Sequence, residues 1–308
     1  MRNIISGIMT VLTLSFFTVT AAAQGTSEWP GYHGTDRTNK STETGLQKTW
    51  PEKGPKLLWT ASGLGEGYST VSIAGGYVYS AGKIGKQTYV IAYDMDGKQV
   101  WKTPNGEAWE TTMSYAKGFT GSRCTPTYND GVVYHFGETG RLAAFDHATG
   151  KEKWALDLRE RFDAPVPKYG FSESVLIDGD RLYCSPAGKK GFMVCLGKKD
   201  GKLIWSCTDI PGTAGYASPI LVEFGGIRQV MNMSSGYAYG VDSQTGKFLW
   251  STKFENFRSI NATDPVFLNS HVFVTTGYGK GSGLIKLVAT NDGIKAEIIW
   301  EKLIMDNH

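Results

Sequence analysis

Gly97-Lys98-Gln99-Val100-Trp101, Gly150-Lys151-Glu152-Lys153-Trp154, Gly201-Lys202-Leu203-Ile204-Trp205 and Gly246-Lys247-Phe248-Leu249-Trp250 are four copies of one pattern, Gly-Lys-x-x-Trp, in a chain of 308 residues. Weaker members flank them: Lys56-Leu57-Leu58-Trp59 before, and Asp292-Gly293 leading to Ile298-Ile299-Trp300 after. The successive tryptophans lie 42, 53, 51, 45 and 50 residues apart, which is the period of a propeller blade. Asp94 stands three residues before its glycine and Asp146 and Asp242 four, while Gly197 takes that place in the third copy. An aspartate there hydrogen-bonds the backbone of its own turn.

Ahead of each turn lie two further strand-like segments. Residues 69–79, 125–134, 174–183, 218–231 and 264–274 each run apolar, polar turn, apolar, and Asn129-Asp130-Gly131 and Asp178-Gly179-Asp180 are hairpin signals. With the strand before each Gly-Lys turn and the tryptophan strand after it, every repeat supplies four strands, one blade. The expectation is an all-β fold, a β-propeller of four-stranded antiparallel blades over residues 56–308, ending near 103, 157, 208, 253 and 303, with a lone outer strand at 56–61. Only eight residues follow Trp300, too few for three strands that would complete a blade with the lone one. The expectation is therefore a chain incomplete at its C-terminus, part of a seven- or eight-bladed propeller. No Trp-Asp dipeptide occurs, which argues against WD repeats.

Composition agrees with a folded β protein. The chain is 41% hydrophobic and 20% charged, with 39 glycines and 12% aromatic residues, which excludes disorder and collagen. A net charge of +3 without any Lys/Arg block gives no footprint for nucleic acid. Arg2, the apolar run 4–20 and Ala21-Ala22-Ala23 read as an export signal over 1–23, leaving 24–55 as an N-terminal extension and no membrane span after cleavage. An uncleaved anchor is the alternative. The expected location is periplasmic or secreted.

These repeats resemble the pyrroloquinoline-quinone-like β-propeller family, whose blades carry Asp-x-x-x-Gly-Lys-x-x-Trp. The resemblance covers about residues 28–303. Trp29-Pro30-Gly31, Gly63-Leu64-Gly65-Glu66-Gly67-Tyr68-Ser69 and Gly215-Tyr216-Ala217-Ser218-Pro219 make it most similar to secreted bacterial BamB-like proteins. The resemblance implies a fold and little chemistry.

Long loops on one propeller face are where binding residues concentrate. Here they are expected at 103–121, 159–169, 185–191 and 275–283. At the channel mouth each first strand begins with a short polar cluster, which selects Glu66, Tyr68, Arg123, Glu173, Tyr216 and Asn261 as ligand-binding candidates. Arg123 and Glu173 read either as a ligand-gripping pair or as an ion pair between blades. The scattered histidines form no catalytic or zinc spacing. Cys184 and Cys195 flank Lys189-Lys190 on neighbouring strands, a placement that admits a cross-strand disulfide, with burial as free thiols the alternative. Lys98, Lys151, Lys202 and Lys247 are expected as a solvated rim on the opposite face.

The leading functional expectation is a non-catalytic scaffold that presents its loop face to a cell-envelope protein or small ligand, with no cofactor. The resemblance to quinoprotein dehydrogenases implies an alternative: an alcohol or sugar dehydrogenase using pyrroloquinoline quinone (PQQ) and Ca²⁺, with Glu173 and Asn261 as calcium ligands and Asp264 as catalytic base. The absence of adjacent cysteines departs from that group. A glycan-binding module stacking sugars on Trp109, Tyr115 and Phe119 is the third reading.

Overall fold

The computed structural model describes residues 28–307, so the export signal expected at 1–23 lies outside the described residues. Twenty strands form five four-stranded antiparallel sheets, each in sequential order. Blade 1 holds β1 (Ser72–Ala74), β2 (Tyr77–Ile84), β3 (Gln87–Asp94) and β4 (Gln99–Glu107); blade 2 holds β5 (Thr127–Asn129), β6 (Val132–Phe136), β7 (Arg141–Asp146) and β8 (Glu152–Asp157). Blade 3 holds β9 (Leu176–Asp178), β10 (Arg181–Cys184), β11 (Met193–Gly197) and β12 (Leu203–Cys207). Blade 4 holds β13 (Ile220–Phe224), β14 (Ile227–Met233), β15 (Tyr237–Asp242) and β16 (Phe248–Lys253); blade 5 holds β17 (Val266–Leu268), β18 (His271–Thr276), β19 (Gly281–Thr290) and β20 (Gly293–Lys302).

The Gly-Lys-x-x-Trp pattern joins each blade to the next. Trp101 Nε1 donates to His147 O at 2.8 Å, Trp154 Nε1 to Lys198 O at 3.0 Å and Trp205 Nε1 to Ser243 O at 3.1 Å. In each case the acceptor immediately follows the aspartate position of the next blade's turn. The indole ring lies over that turn's glycine: a Cβ built on Gly150 would stand 2.6 Å from Trp101, on Gly201 3.0 Å from Trp154 and on Gly246 2.7 Å from Trp205. All three glycines also have positive φ, so turn geometry and ring contact both select glycine. A tyrosine on the second strand completes the joint. Tyr134 Oη shares Lys198 O with Trp154, and Tyr183 Oη shares Ser243 O with Trp205. Asp94, Asp146 and Asp242 close their turns through Oδ1, accepting backbone N–H groups at 2.8–3.1 Å.

Each tryptophan sits beside a β-bulge. The register shifts between Ala92 and Tyr93, Ala144 and Phe145, Cys195 and Leu196, and Gly240 and Val241, leaving the residue before each tryptophan as the extra one. A bulge twists the strand and re-aims its side chain. Across each blade run rows such as Tyr79–Ala92–Trp101, Tyr134–Ala144–Trp154 and Tyr183–Cys195–Trp205, in which a small middle residue leaves room for two rings. Cys195 fills that position in blade 3. Cys184 pairs with Val194 and Tyr183 with Cys195, so the two cysteines point to opposite faces of the sheet. The cross-strand disulfide is corrected accordingly: all four cysteines are buried free thiols.

Segment 56–61 is also corrected. It forms no strand; among the described residues no three inner strands lie beside it to pair with. Trp59 still docks as the repeat dictates, donating to Met95 O at 2.8 Å with its ring over Gly97. Between blades 4 and 5 the joint is absent: Met231 stands in the tyrosine row, Trp250 donates to Gln229 within its own blade, and no ring covers Gly293. An apolar cluster including Met231, Trp250, Phe254, Val272 and Ile285 holds that interface.

The loops are shorter than expected in two places. β4 continues to Glu107, and β18 and β19 leave only 277–280 between them. The connection after β8 carries helix α1 (Leu158–Phe162), capped by Asp157 through the N–H groups of Arg159 and Glu160.

Two alanine substitutions separate turn strain from ring contact. At Gly76 (φ +81°) an added methyl would meet nothing within 4 Å, whereas at Gly150 (φ +68°) it would meet Trp101. In urea unfolding, Gly76→Ala is expected to cost about 1–2 kcal/mol from backbone strain. Gly150→Ala should cost at least about 1 kcal/mol more from the displaced indole; equal costs would contradict the joint.

Candidate functional site

The first strands meet around the channel through a chain of side-chain acceptors. Thr70 N donates to Thr125 Oγ1 at 3.3 Å, Thr125 N to Ser174 Oγ at 2.9 Å, Ser174 N to Ser218 Oγ at 3.0 Å, and Ser218 N to Asp264 Oδ1 at 2.6 Å. Thr125, Ser174, Ser218 and Asp264 thus occupy one structural position in successive blades, each accepting the amide of the blade before. Asp264 is the last link.

A strap from the N-terminal extension crosses this hub and touches every blade. Trp29 pairs with Ile73, and Tyr128 N donates to Pro30 O at 2.7 Å. Arg37 donates to the carbonyls of Ser174 (2.8 Å), Val175 and Pro219 (3.0 Å). His33 Nδ1 lies 3.7 Å from Asp264 Oδ2, and its ring stacks on Tyr32 at 3.9 Å. The sequence marks 24–55 only as an extension; Tyr32, His33 and Arg37 are hub residues that sequence reasoning misses, with Trp29-Pro30-Gly31 the one local signal.

Tyr32 lines two cavities and so separates them. On the loop side lies one of about 460 Å³, lined by Tyr32, Tyr68, Arg123, Tyr169, Tyr216, Tyr278, Asp264 and the hub hydroxyls. On the other side lies one of about 250 Å³, lined by Arg37, Tyr128 and Val175 among others. Of the expected site residues, Tyr68, Arg123, Tyr216 and Asp264 come together in the larger cavity. Glu66, Glu173 and Asn261 do not line it. Glu66 pairs through its backbone with Lys83 and accepts from Thr120 at 3.3 Å.

The Arg123–Glu173 pair, in either form, is corrected. Arg123 donates to Gly121 O at 3.2 Å and Phe119 O at 2.5 Å, with its guanidinium 5.4 Å from the Tyr68 ring and 5.3 Å from the Trp109 ring. Glu173 turns inward, accepting from Ser185 N at 2.9 Å and Asn232 Nδ2 at 3.2 Å. The cause is chain geometry: consecutive residues entering a strand face opposite ways, so Arg123 and Ser172 face the cavity while Glu173 does not. Trp109 is covered too, at 6% exposure against 60% for Tyr115 and 56% for Phe119. Arg123 and Tyr169 lie against it, so the expected three-ring sugar platform does not form.

Burial raises Glu173 to about 8 and Asp264 to about 7, with Arg37 the principal opposing charge on Asp264. His33 is pulled toward its neutral form by burial and then by Arg37.

As a calcium set, Glu173, Asn261 and Asp264 do not fit. Asn261 Oδ1 and Asp264 Oδ2 are buried without a donor, which suits a hard cation. Both Glu173 oxygens, however, are held by amides, and Asn261 Nδ2 is fixed to Ser234 O and Phe254 O at 2.8 and 3.0 Å. Among the described residues no three His, Cys, Asp or Glu side chains converge on a metal position.

Five blades, a hydroxyl-linked hub and tryptophan joints define a β-propeller of the quinoprotein-like type. The chain belongs to the PQQ-like repeat family: residues 86–306 match the family described as outer membrane protein assembly factor BamB. It is 29% identical over 163 residues to quinohemoprotein alcohol dehydrogenase ADH IIB of Pseudomonas putida, covering 47% of this chain and 21% of that protein. It is 25% identical over 201 residues to the outer membrane protein assembly factor BamB of Shewanella oneidensis, covering 64% and 48%. The chain therefore spans between about a fifth and a half of these relatives. Among solved structures, the quinohemoprotein alcohol dehydrogenase from Comamonas testosteroni superposes with a TM-score of 0.55 at 17% identity, over 87% of this chain and 47% of that one, a likeness of fold. No helix among the described residues is long and apolar enough to cross a membrane.

The raised Asp264 sets a sign for pH. The folded chain holds a proton on Asp264 up to about pH 7, while the unfolded carboxyl releases it near 3.9. Its contribution to stability is present below about pH 4 and is lost as pH rises through 7. Glu173 acts in the same direction; His135, pushed down to about 4 by burial, acts oppositely. Comparing Asp264→Asn with wild type cancels both. The variant should gain stability relative to wild type by up to about 1.4 kcal/mol per pH unit between pH 4 and 7, read from urea unfolding; parallel profiles would refute the shift.

Proposed function

We propose that the chain is a non-catalytic propeller of the cell envelope, periplasmic or secreted, that binds a protein partner through its loop face. The observation that carries this reading is the fate of the hub polar groups. Asp264 accepts Ser218 N as the counterpart of a serine or threonine in the other blades, and Glu173 and Asn261 hold backbone and amide groups of the scaffold. The carboxylates serve as structural links. The family matched and the BamB relative, described as an outer membrane protein assembly factor, support the same reading.

The loop face supplies the contact surface. Tyr115, Phe119 and Phe257 project there, with Phe257 75% exposed, around the 460 Å³ cavity. Exposed aromatic side chains beside charged ones are the composition of a binding surface. The Gly-Lys lysines at the other ends of the blades are solvated.

A quinone-dependent alcohol or sugar dehydrogenase is the second reading, favoured by the dehydrogenase relative and by Asp264 facing a cavity. The poor calcium fit weighs against it. A glycan module is disfavoured by the covered Trp109.

A photo-crosslinking residue placed in the native host at Phe119 or Phe257, and for comparison at Lys151 or Lys202, tests the proposal. Discrete protein adducts from the loop-face positions alone are expected. Adducts from neither face, or equally from both, would overturn it.

A further inference from the structure

Beside the larger cavity lies a smaller one of about 230 Å³, sharing Tyr169, Tyr216 and Ile260 with it and lined also by Lys168 and Arg258. The two rings stand 5.9 Å apart, centroid to centroid, and form the common wall. Lys168 comes from the loop before blade 3 and Arg258 from the loop before blade 5, so two separate connections deliver two cations to one small cavity. They are close enough to repel: the Tyr115 hydroxyl raises the Lys168 pKa, and Arg258 opposes that rise.

Neither cation has a carboxylate. Among the described residues, Lys168, Arg258 and Arg123 form no ion pair; each lies over aromatic rings instead. Lys168 is 5.8 Å from the Tyr115 ring and 5.6 Å from Tyr169, and Arg258 is 4.9 Å from Phe257. The nearby acids are engaged elsewhere: Glu138, whose charge reaches Arg123, is buried and accepts from Thr88 Oγ1 at 2.7 and 2.9 Å, and Asp264, which lines the larger cavity, accepts Ser218 N at 2.6 Å. Glu255 pairs with Lys253 at 3.3 Å and accepts from Ser259 at 3.1 Å, and Asp306 holds Gly279 N. Like charges gathered without an ion-paired carboxylate around a concave aromatic surface create a positive field that an anion relieves.

We propose that this surface receives an extended acidic segment of a protein partner, with one carboxylate at Arg123 in the larger cavity, another between Lys168 and Arg258 in the smaller, and the chain lying across the Tyr169–Tyr216 wall. The inference rests on the scaffold reading above and names the chemistry of its partner. A polypeptide is favoured over an anionic sugar by two features. Side chains on one side of an extended peptide recur about every 7 Å, which suits two cavities divided by a single aromatic wall. The hydroxyls that would bind a sugar are already tied into the hub: Ser174 and Ser218 accept the amides of Thr125 and Ser174.

The test is fluorescence anisotropy of the full folded chain with a labelled twelve-residue peptide alternating Glu and Ser around a central Phe. A peptide with Lys for every Glu and polygalacturonate of matched charge serve as comparisons. Lys168→Met combined with Arg258→Met is expected to weaken the acidic peptide about tenfold. Lys98→Met combined with Lys151→Met, which removes the same charge from the opposite face, should change binding less than twofold. No binding of the acidic peptide, equal binding of the Lys peptide, or equal losses in the two double variants would overturn the proposal. Tighter binding of polygalacturonate would overturn the polypeptide assignment. If loop-face crosslinks form while the acidic peptide fails, the acidic assignment alone falls; if both fail, the scaffold reading falls with it.

Discussion

An indole ring laid over a glycine of the neighbouring blade is the contact on which this propeller depends. A four-stranded sheet has two faces to cover and cannot bury both by itself. The joint covers one through a flat side chain, a directed N–H···O bond and the turn that receives them. Trp59, Trp101, Trp154 and Trp205 repeat it with donor distances of 2.8–3.1 Å. Losing a buried tryptophan from such a site costs roughly 3–5 kcal/mol, and the glycine is equally constrained because any Cβ enters the ring. The bulge before Trp101, Trp154 and Trp205 serves the same contact. It turns the fourth strand so that the indole leaves its own sheet and reaches the next.

The hub follows from the same repetition. Blades placed at fixed angles bring the starts of their first strands together, and there backbone amides of each blade meet side-chain oxygens of the next. Thr125, Ser174 and Ser218 meet this demand with neutral hydroxyls; Asp264 meets it with a carboxylate whose pKa burial raises to about 7. The strap adds a second layer. Arg37 satisfies its donors with three backbone carbonyls from blades 3 and 4, a geometry suited to the planar guanidinium. What the hub does not consume is the rim of tyrosines and cations above it, and that is where a partner can be read.

The repeat is legible in the sequence because its information is local. Glycine, lysine and tryptophan lie within five residues of one another, and the blade period follows by counting. The bulge is hidden, since an extra residue in a strand leaves no mark on a pattern that already reads Gly-Lys-x-x-Trp. The strap is hidden for a different reason: Arg37 meets carbonyls more than 130 residues away, and nothing beside it in sequence announces them. Tyr68, Arg123, Tyr216 and Asp264 are found by their position at first-strand starts, and the cavity gathers them. Glu173 is selected on the same ground but faces inward, and Trp109, chosen for aromaticity, is covered by Arg123. Lys168-Tyr169 and Phe257-Arg258, each a cation next to a ring in a loop between blades, carry a signal that a search for channel-mouth residues passes over.

If the tryptophan joint couples the blades, stability is not uniform along the chain. Blades 1 to 4 are linked by it, whereas blade 5 lacks it, is held to blade 4 by apolar packing and by the hub bonds of Asn261 and Asp264, and exposes Val266, Leu268 and Ile299. Native-state hydrogen exchange resolved by strand, at increasing denaturant, measures this directly. The account predicts that β2, β3, β6, β7, β10, β11, β14 and β15 open together in one high-energy unit, and that β18 and β19 open earlier in a separate one. Blade 5 exchanging with the rest, or each blade opening at its own free energy, would contradict it.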